Sequence, residues 1–146
     1  LEHIEGDKSS MRDIENILKP GGYFVATVPA LKNMWSLRDE HHHHFRRYEK
    51  GELLKLMQEA NLDVSDIGFY NSILFPLAFI VRKLSNYKDS DEGIDLKIPS
   101  KILNSILYKI MTIEKSLITW LSFPVGLSLY CVAKKKSDEI NHRPLQ

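Results

Sequence analysis

The stretch that decides the fold reads Leu18-Lys19-Pro20-Gly21-Gly22-Tyr23-Phe24-Val25-Ala26-Thr27-Val28-Pro29. The residues before it predict an amphipathic helix that Asp7 caps, with apolar positions at Met11, Ile14, Ile17 and Leu18. The Pro-Gly-Gly turn ends that helix, because proline lacks a backbone N–H and glycine readily adopts left-handed conformations. Tyr23 to Val28 is a nearly continuous apolar run, which predicts a strand buried on both faces of a parallel sheet and stopped by Pro29. The stretch therefore predicts one helix-to-strand step of an open α/β sheet.

Further elements follow along the chain. Residues 49–60 predict a second helix, ended by Asn61, from the spacing of Leu53, Leu56, Met57 and Ala60. Leu62 to Tyr70 predicts a second strand, and Gly126 to Lys134 predicts a last one. Between these strands, residues 73–81 are apolar over only about half the length that a membrane-spanning helix needs. A charged linker covers 88–97, and Pro99-Ser100 begins a long helix that continues to Leu121.

Composition excludes few classes of protein. The chain has 146 residues, 43% of them hydrophobic, and is long enough to bury one core. Its 20 Lys and Arg against 19 Asp and Glu give no strongly basic charge, so we expect no nucleic-acid partner. One cysteine, Cys131, cannot form an internal disulfide, which favours a reducing compartment. Because no signal peptide precedes the first helix, we expect a cytoplasmic location.

Two motifs carry a resemblance to a known family: Leu1-Glu2-His3-Ile4, and Leu18-Lys19-Pro20-Gly21-Gly22 ahead of a strand. Together with the final strand they resemble the second half of a class I S-adenosylmethionine-dependent methyltransferase, of the type 11/12 kind. The resemblance implies an α/β fold, the C-terminal half of a Rossmann-like sheet, with strands 5, 7 and 6, strand 7 antiparallel, and a helical insert. It covers a partial methyltransferase domain at 1–134, with a helical lid at 72–125, and leaves a polar tail at 135–146.

The resemblance implies methyl transfer from S-adenosylmethionine to a small-molecule or lipid-like acceptor. No Gly-x-Gly-x-Gly occurs in the 146 residues, although the family's cofactor loop has that pattern. We therefore expect a fragment that is inactive and binds no cofactor alone, with the activity belonging to a longer parent protein. The fold also implies that residues 23–28 form an unpaired sheet edge, which invites self-association.

The resemblance brings residues 1–4, 29–48 and 71–125 to the carboxyl ends of the strands, where ligands bind in open α/β sheets. Leu1, Glu2 and His3 are expected at the cofactor. In similar quinone-biosynthesis O-methyltransferases the Glu and His of this motif help to bind a divalent metal, which lowers the pKa of the acceptor hydroxyl. The alternative is local, with Glu2 paired nearby and His3 packed beside the cofactor. We assign no metal ligands at this point and leave a divalent metal open.

The loop Asp39-Glu40-His41-His42-His43-His44-Phe45-Arg46-Arg47-Tyr48 supplies the other candidates. His43 or His44 is expected to face the acceptor and take its proton, because imidazole titrates near neutrality. Arg46, Arg47 and Tyr48 are expected to bind the acceptor, the arginines by holding a carboxylate or phosphate. The alternative is that Arg47 and Tyr48 fix the loop against the next helix. The four histidines make a poor preformed metal site, because side chains on an extended chain point alternately to opposite sides.

The apolar segments 73–81 and 102–121 leave three alternatives. They form a lid packed on the sheet edge, an amphipathic surface that contacts a membrane, or a surface for another protein. A competing function is therefore a membrane-peripheral or protein-interaction fragment without enzyme activity. A third is a metal-binding module built on Glu2, His3 and residues 41–44.

Overall fold

The computed structural model describes residues 1–85 and 100–137. These residues form, in order, α1 (Asp7–Ile17), β1 (Tyr23–Pro29), α2 (Leu37–His41), α3 (Lys50–Glu59), β2 (Leu62–Tyr70), α4 (Phe75–Ser85), α5 (Lys101–Ile118) and β3 (Ser128–Lys135). A 3-10 turn covers Lys32–Met34. The predicted linker at 88–97 and most of the predicted polar tail lie outside the described residues.

The three strands form one sheet in the order β1-β3-β2. β3 runs antiparallel to both neighbours, so β1 and β2 are parallel to each other. Pro29 at the end of β1 and Tyr70 at the end of β2 both lie opposite Ser128, the first residue of β3. The expected order of strands 5, 7 and 6, with strand 7 reversed, is confirmed.

The core lies on the face of the sheet that α1 and α3 cover. Met11 of α1 and Leu53 and Met57 of α3 pack there with Leu129 and Cys131 of β3, all of them fully buried. The prediction for α3 is confirmed, since its four apolar positions are buried and Asn61 follows with a left-handed φ of 60°. The second strand covers the predicted residues, Leu62–Tyr70.

β1 departs from the prediction of a strand buried on both faces of a parallel sheet. Its side chains alternate, so that Val28 is 2% exposed while Val25 is 64% exposed, and its partner is antiparallel. The cause is that helices pack on only one face of the sheet, whereas the apolar run in the sequence is compatible with burial of both faces. Within the described residues, the other edge of β1 has no partner strand, as the resemblance implies.

α1 also differs from its prediction at two positions. Asp7 is the first residue of the helix rather than its cap, which is Gly6. The Asp7 carboxylate instead contacts Arg46 and Tyr48, as described below. Ile17, the last residue of the helix, is 82% exposed, because its side chain points away from the side on which Met11, Ile14 and Leu18 pack.

A buried carboxylate holds the helical insert to the residues that follow β2. Glu114 of α5 is 2% exposed and accepts hydrogen bonds from the backbone N–H groups of Ser72 (2.8 Å) and Ile73 (3.2 Å), just beyond β2. The predicted start of α5 is confirmed, since the Ser100 side chain caps it by accepting from the backbone N–H of Leu103. Among the helices of the described residues, none has the length and apolar character needed to cross a bilayer.

Candidate active site

The candidate site lies where β1 and β2 end. The backbone N–H of Ala30, just after β1, donates to the Leu127 carbonyl (2.9 Å), so the loop after β1 starts beside β3. The backbone N–H of Phe45 in the same loop donates to the Glu2 carbonyl (2.7 Å), while Leu1 packs against the core. The first residues of the chain and the histidine loop therefore lie side by side at the carboxyl ends of the two parallel strands.

The histidine loop is not extended. His41 ends the short helix α2, and His43 has a left-handed φ of 54°. The backbone N–H groups of His43 and His44 donate to the carbonyls of Glu40 and Asp39, both at 2.9 Å. The assumption that the four side chains alternate along an extended chain is therefore wrong. The turn leaves His43 exposed and directs the half-buried His44 back toward Asp39.

Asp39 is the centre of a buried polar network. It is 2% exposed, and its Oδ1 lies 2.9 Å from Arg47 Nε, 2.8 Å from Arg47 Nη2 and 3.0 Å from His44 Nδ1. Its Oδ2 accepts from the Ser36 backbone N–H at 3.0 Å. Burial alone would raise the pKa of Asp39, but the hydrogen bonds from Arg47 and His44 outweigh it and lower the pKa. The carboxylate is thus ionised and accepts only, so the proton of this contact is on His44 Nδ1.

With Nδ1 occupied, His44 has its Nε2 available on the other side of the ring. That ring packs edge-to-face against His3, with the centroids 4.7 Å apart. One ligand atom from each of Glu2, His3 and His44 lies within 4.8 Å of the other two. One carboxylate and two imidazoles are a ligand set that divalent transition metals bind, and Asp39 would then orient His44 from behind.

A second polar network lies between the histidine loop and α1. Arg46 Nη1 is 2.6 Å from Asp7 Oδ2, and the Tyr48 hydroxyl donates to the same oxygen at 3.0 Å. Burial would raise the pKa of Asp7, but the hydrogen bonds from Arg46 and Tyr48 lower it. Burial and the Asp7 carboxylate raise the pKa of Tyr48, which keeps its hydroxyl protonated.

Each of the three predicted substrate-binding residues has a partner in one of these two networks. Arg46 and Tyr48 both bind Asp7, and the buried Arg47 binds Asp39 and donates to the Ala30 carbonyl at 2.9 Å. The predicted clamp would need the two guanidinium groups to face an acceptor, and both have carboxylate partners within the chain instead. The arrangement favours the alternative interpretation, in which Arg47 and Tyr48 fix the loop against the rest of the fold.

The structure also reveals residues that sequence reasoning missed. Asp39, Asp7 and Glu114 each organise a polar network, whereas the sequence marks Asp7 only as a helix cap and Asp39 only as the start of the histidine loop, and it assigns Glu114 no role. Only the Ser36-x-x-Asp39 spacing, typical of a helix start, marks one of them as special. Their partners lie up to 42 residues away in sequence, which no local pattern indicates.

Comparison with known proteins finds similarity in three-dimensional structure. Neither a family model nor a curated protein sequence matches the chain. A Bacillus halodurans protein, provisionally described as a methyltransferase, superposes with a TM-score of 0.50 at 13% identity, over 93% of this chain and 61% of that one. This match agrees with the sheet of the chain, in which a reversed strand lies between two parallel strands. The two observations together identify the fold. The chain has part of a class I methyltransferase fold.

A second solved structure matches this methyltransferase fold over a smaller share of its own length. It is phosphoethanolamine N-methyltransferase 2 of Haemonchus contortus in complex with S-adenosyl-L-methionine, with a TM-score of 0.46 and 15% identity over 93% of this chain and 31% of that one. The chain thus spans less than two thirds of both solved structures. At these identities the likeness describes the fold.

Proposed function

We propose that the chain is the second half of an S-adenosylmethionine-dependent methyltransferase that acts on a small-molecule acceptor. The observation that carries the proposal is the sheet: two parallel strands with a reversed strand between them, ending beside Glu2, His3 and His44. The 146 residues contain no Gly-x-Gly-x-Gly turn, so they do not supply the cofactor's own binding loop. That loop belongs to a longer protein in this proposal, and Leu1, Glu2 and His3 border the cofactor from this side.

His44 is the residue of this chain best placed to assist the reaction. When bound, S-adenosylmethionine supplies an electrophilic methyl group to a nucleophilic atom of the acceptor. His44 Nε2 accepts the proton that an acceptor hydroxyl or amine loses, and Asp39 holds the ring and stabilises the imidazolium formed. Arg47 holds Asp39 in place through the same carboxylate oxygen. Among the described residues, His43 has no carboxylate partner of this kind, and its side chain is exposed.

A divalent metal is a second candidate use of the same residues, favoured by the convergence of Glu2, His3 and His44. These three side chains would hold the ion, which would lower the pKa of an acceptor hydroxyl. The two roles of His44 exclude each other, since one Nε2 cannot both ligate a metal and accept a proton. Zinc or magnesium added to the chain distinguishes them: a metal site raises the melting temperature, and His3→Gln removes the increase.

The test of the main proposal compares the 146-residue chain with the longer product of its gene. We expect the longer protein to bind S-adenosylmethionine in calorimetry and to transfer a labelled methyl group to an acceptor from a metabolite pool, whereas the 146-residue chain does neither. His44→Gln in the longer protein should lower kcat by about 10²–10⁴-fold with cofactor affinity unchanged. The same substitution at His43 should have a much smaller effect.

Two results would overturn the proposal. Failure of the longer protein to bind S-adenosylmethionine would exclude the methyltransferase function, and tight binding by the 146-residue chain would exclude the need for an upstream loop. If His43→Gln and His44→Gln lowered kcat equally, the hydrogen bond between His44 and Asp39 would no longer support a special role for His44.

A further inference from the structure

One helix of the insert exposes a row of apolar side chains, which we define as the apolar stripe: Ile102, Ile106, Ile113 and Trp120, with Lys109 between Ile106 and Ile113. The spacings of four, seven and seven residues place these side chains on one side of α5 and its C-terminal continuation, because an α-helix has 3.6 residues per turn. Ile102 is 76% and Trp120 is 89% exposed, and the two residues between them are about half exposed. Four exposed apolar side chains on one side of a helix form a cluster rather than scattered single residues, and such clusters mark interaction surfaces.

The stripe is separate from the side by which α5 packs. Leu107, Ile110 and Leu117 are half-buried, and Glu114 on that side is bound to the backbone of Ser72 and Ile73. The insert therefore already has its contact with the sheet. Within the described residues, the apolar stripe is left over after that packing.

The charges that α5 exposes are all positive. Lys101, Lys109 and Lys115 are exposed, while its one carboxylate, Glu114, is buried and hydrogen-bonded. Lys109 lies within the stripe and Lys101 lies beside Ile102, and with Ile102, Ser105 and Ile106 the two lysines line an open cleft of about 370 Å³. Ammonium groups beside aliphatic side chains match a surface that is negatively charged outside and apolar beneath.

We infer that the apolar stripe of α5 and its bordering lysines dock the protein on an anionic lipid surface. The helix has 18 residues, about 27 Å, and lies in the interface rather than across the bilayer, since no helix of the described residues can span one. The indole of Trp120 suits the boundary between headgroups and acyl chains. A protein partner fits less well, because interface cores are poor in lysine.

Docking in this way has a consequence for the candidate site. Glu114 connects α5 to residues 72 and 73, two and three positions after Tyr70, and Tyr70 ends β2 at the same sheet edge as the histidine loop. A membrane that holds α5 therefore contacts the insert, which is attached next to the edge where the half-buried His44 lies. This inference does not rest on methyl transfer, but it makes an amphiphilic acceptor accessible to the site.

The experiment is vesicle flotation of the 146-residue chain with matched variants. Vesicles are pure phosphatidylcholine or phosphatidylcholine with about 30% phosphatidylserine, at about 0.15 M salt. We expect binding to the anionic vesicles, weakened about fivefold by each of Lys101→Gln and Lys109→Gln. Ile102→Asn should weaken it about tenfold, because an aliphatic side chain no longer enters the apolar layer.

Matched controls use the same substitutions on other helices. Ile17→Asn changes an isoleucine that is 82% exposed on α1, and Lys55→Gln changes a lysine whose side chain is 75% exposed on α3. Both should leave vesicle binding unchanged. Circular dichroism verifies that every variant keeps its helix content, and the lysine variants lie on the surface, where they do not disturb folding.

Three results would overturn the inference. They are no binding to either vesicle, equal binding to both with no effect of the lysines, or a dimer that Ile102→Asn dissociates in the absence of lipid. The last would assign the stripe to a second copy of the chain. Because flotation needs neither cofactor nor activity, its outcome is distinguishable from a failure of the proposed methyltransferase function.

Discussion

Removing the charge of Asp39 should destabilise the protein far more than its place in a surface loop indicates. Asp39 and Arg47 are 2% and 5% exposed, and Asp39 holds Arg47, His44 and Ser36 at 2.8–3.1 Å. Asp39→Asn leaves the guanidinium of Arg47 buried without a counter-charge, with the Ala30 carbonyl and the new amide oxygen as neutral acceptors. Removing one partner of a buried ion pair costs about 3–5 kcal/mol, and the Ala30 contact puts the expected loss near the lower end, about 3 kcal/mol.

The assay is urea unfolding followed by circular dichroism at neutral pH. With a slope of about 2 kcal/mol per molar urea, a loss of about 3 kcal/mol lowers the unfolding midpoint by about 1.5 M. The matched control is Asp63→Asn, because Asp63 is 67% exposed and lies 3.9 Å from Lys136. An exposed pair of this kind contributes at most about 1 kcal/mol.

A double-substitution cycle isolates the ion pair from other effects. Arg47→Met should cost a similar amount, since it leaves the carboxylate of Asp39 buried without its cation. The double variant, Asp39→Asn with Arg47→Met, should be little worse than either single variant, with a coupling of about 2–3 kcal/mol. A loss below about 1 kcal/mol for Asp39→Asn, or purely additive losses, would refute the reasoning.

Three further predictions concern buried polar groups. Glu114→Gln should cost about 2 kcal/mol and speed hydrogen exchange at the Ser72 amide, because a charge-assisted hydrogen bond becomes a neutral one. The free energy of unfolding should be constant well above pH 4, about the pKa of an unperturbed Asp, and should decrease at lower pH. The folded pKa values of Asp7 and Asp39 are lowered, so the stability that their ionised forms contribute is lost as the pH falls through those values. Urea unfolding repeated at decreasing pH measures this loss. Cys131 should not react with a thiol reagent at pH 8 until the protein unfolds, because it is fully buried and its pKa is raised to about 11.

Each of these has an outcome that contradicts it. Unchanged exchange at Ser72 in the Glu114 variant would mean that the carboxylate does not hold the insert. A stability that rises on acidification below pH 4 would reverse the sign expected from lowered pKa values. Reaction of Cys131 at the rate of a free thiol would show that the strand β3 opens without global unfolding.

The order and type of the elements were largely predictable from the sequence. Apolar spacing along α3, the alternation of Leu62–Tyr70 and the Pro-Gly-Gly turn before β1 are local signals, and local backbone preferences are enough to read them. The resemblance added the strand order, which periodicity alone does not contain. The prediction of burial was wrong at Val25 and Ile17, because a residue's apolar character does not reveal whether another layer of the structure covers it.

The roles of the polar residues were decided by the tertiary structure alone. Two arginines next to each other in sequence suggested an anion clamp, yet Arg46 pairs with Asp7 and Arg47 with Asp39, on different elements. His44 differs from His43 only because the chain turns through a left-handed φ between α2 and the next residues. A charged side chain inside a fold takes whichever partner the packing brings near, since a buried charge without one is costly. The stretch from Leu18 to Pro29 therefore determined which fold forms, while the packing of distant segments determined which histidine faces the site.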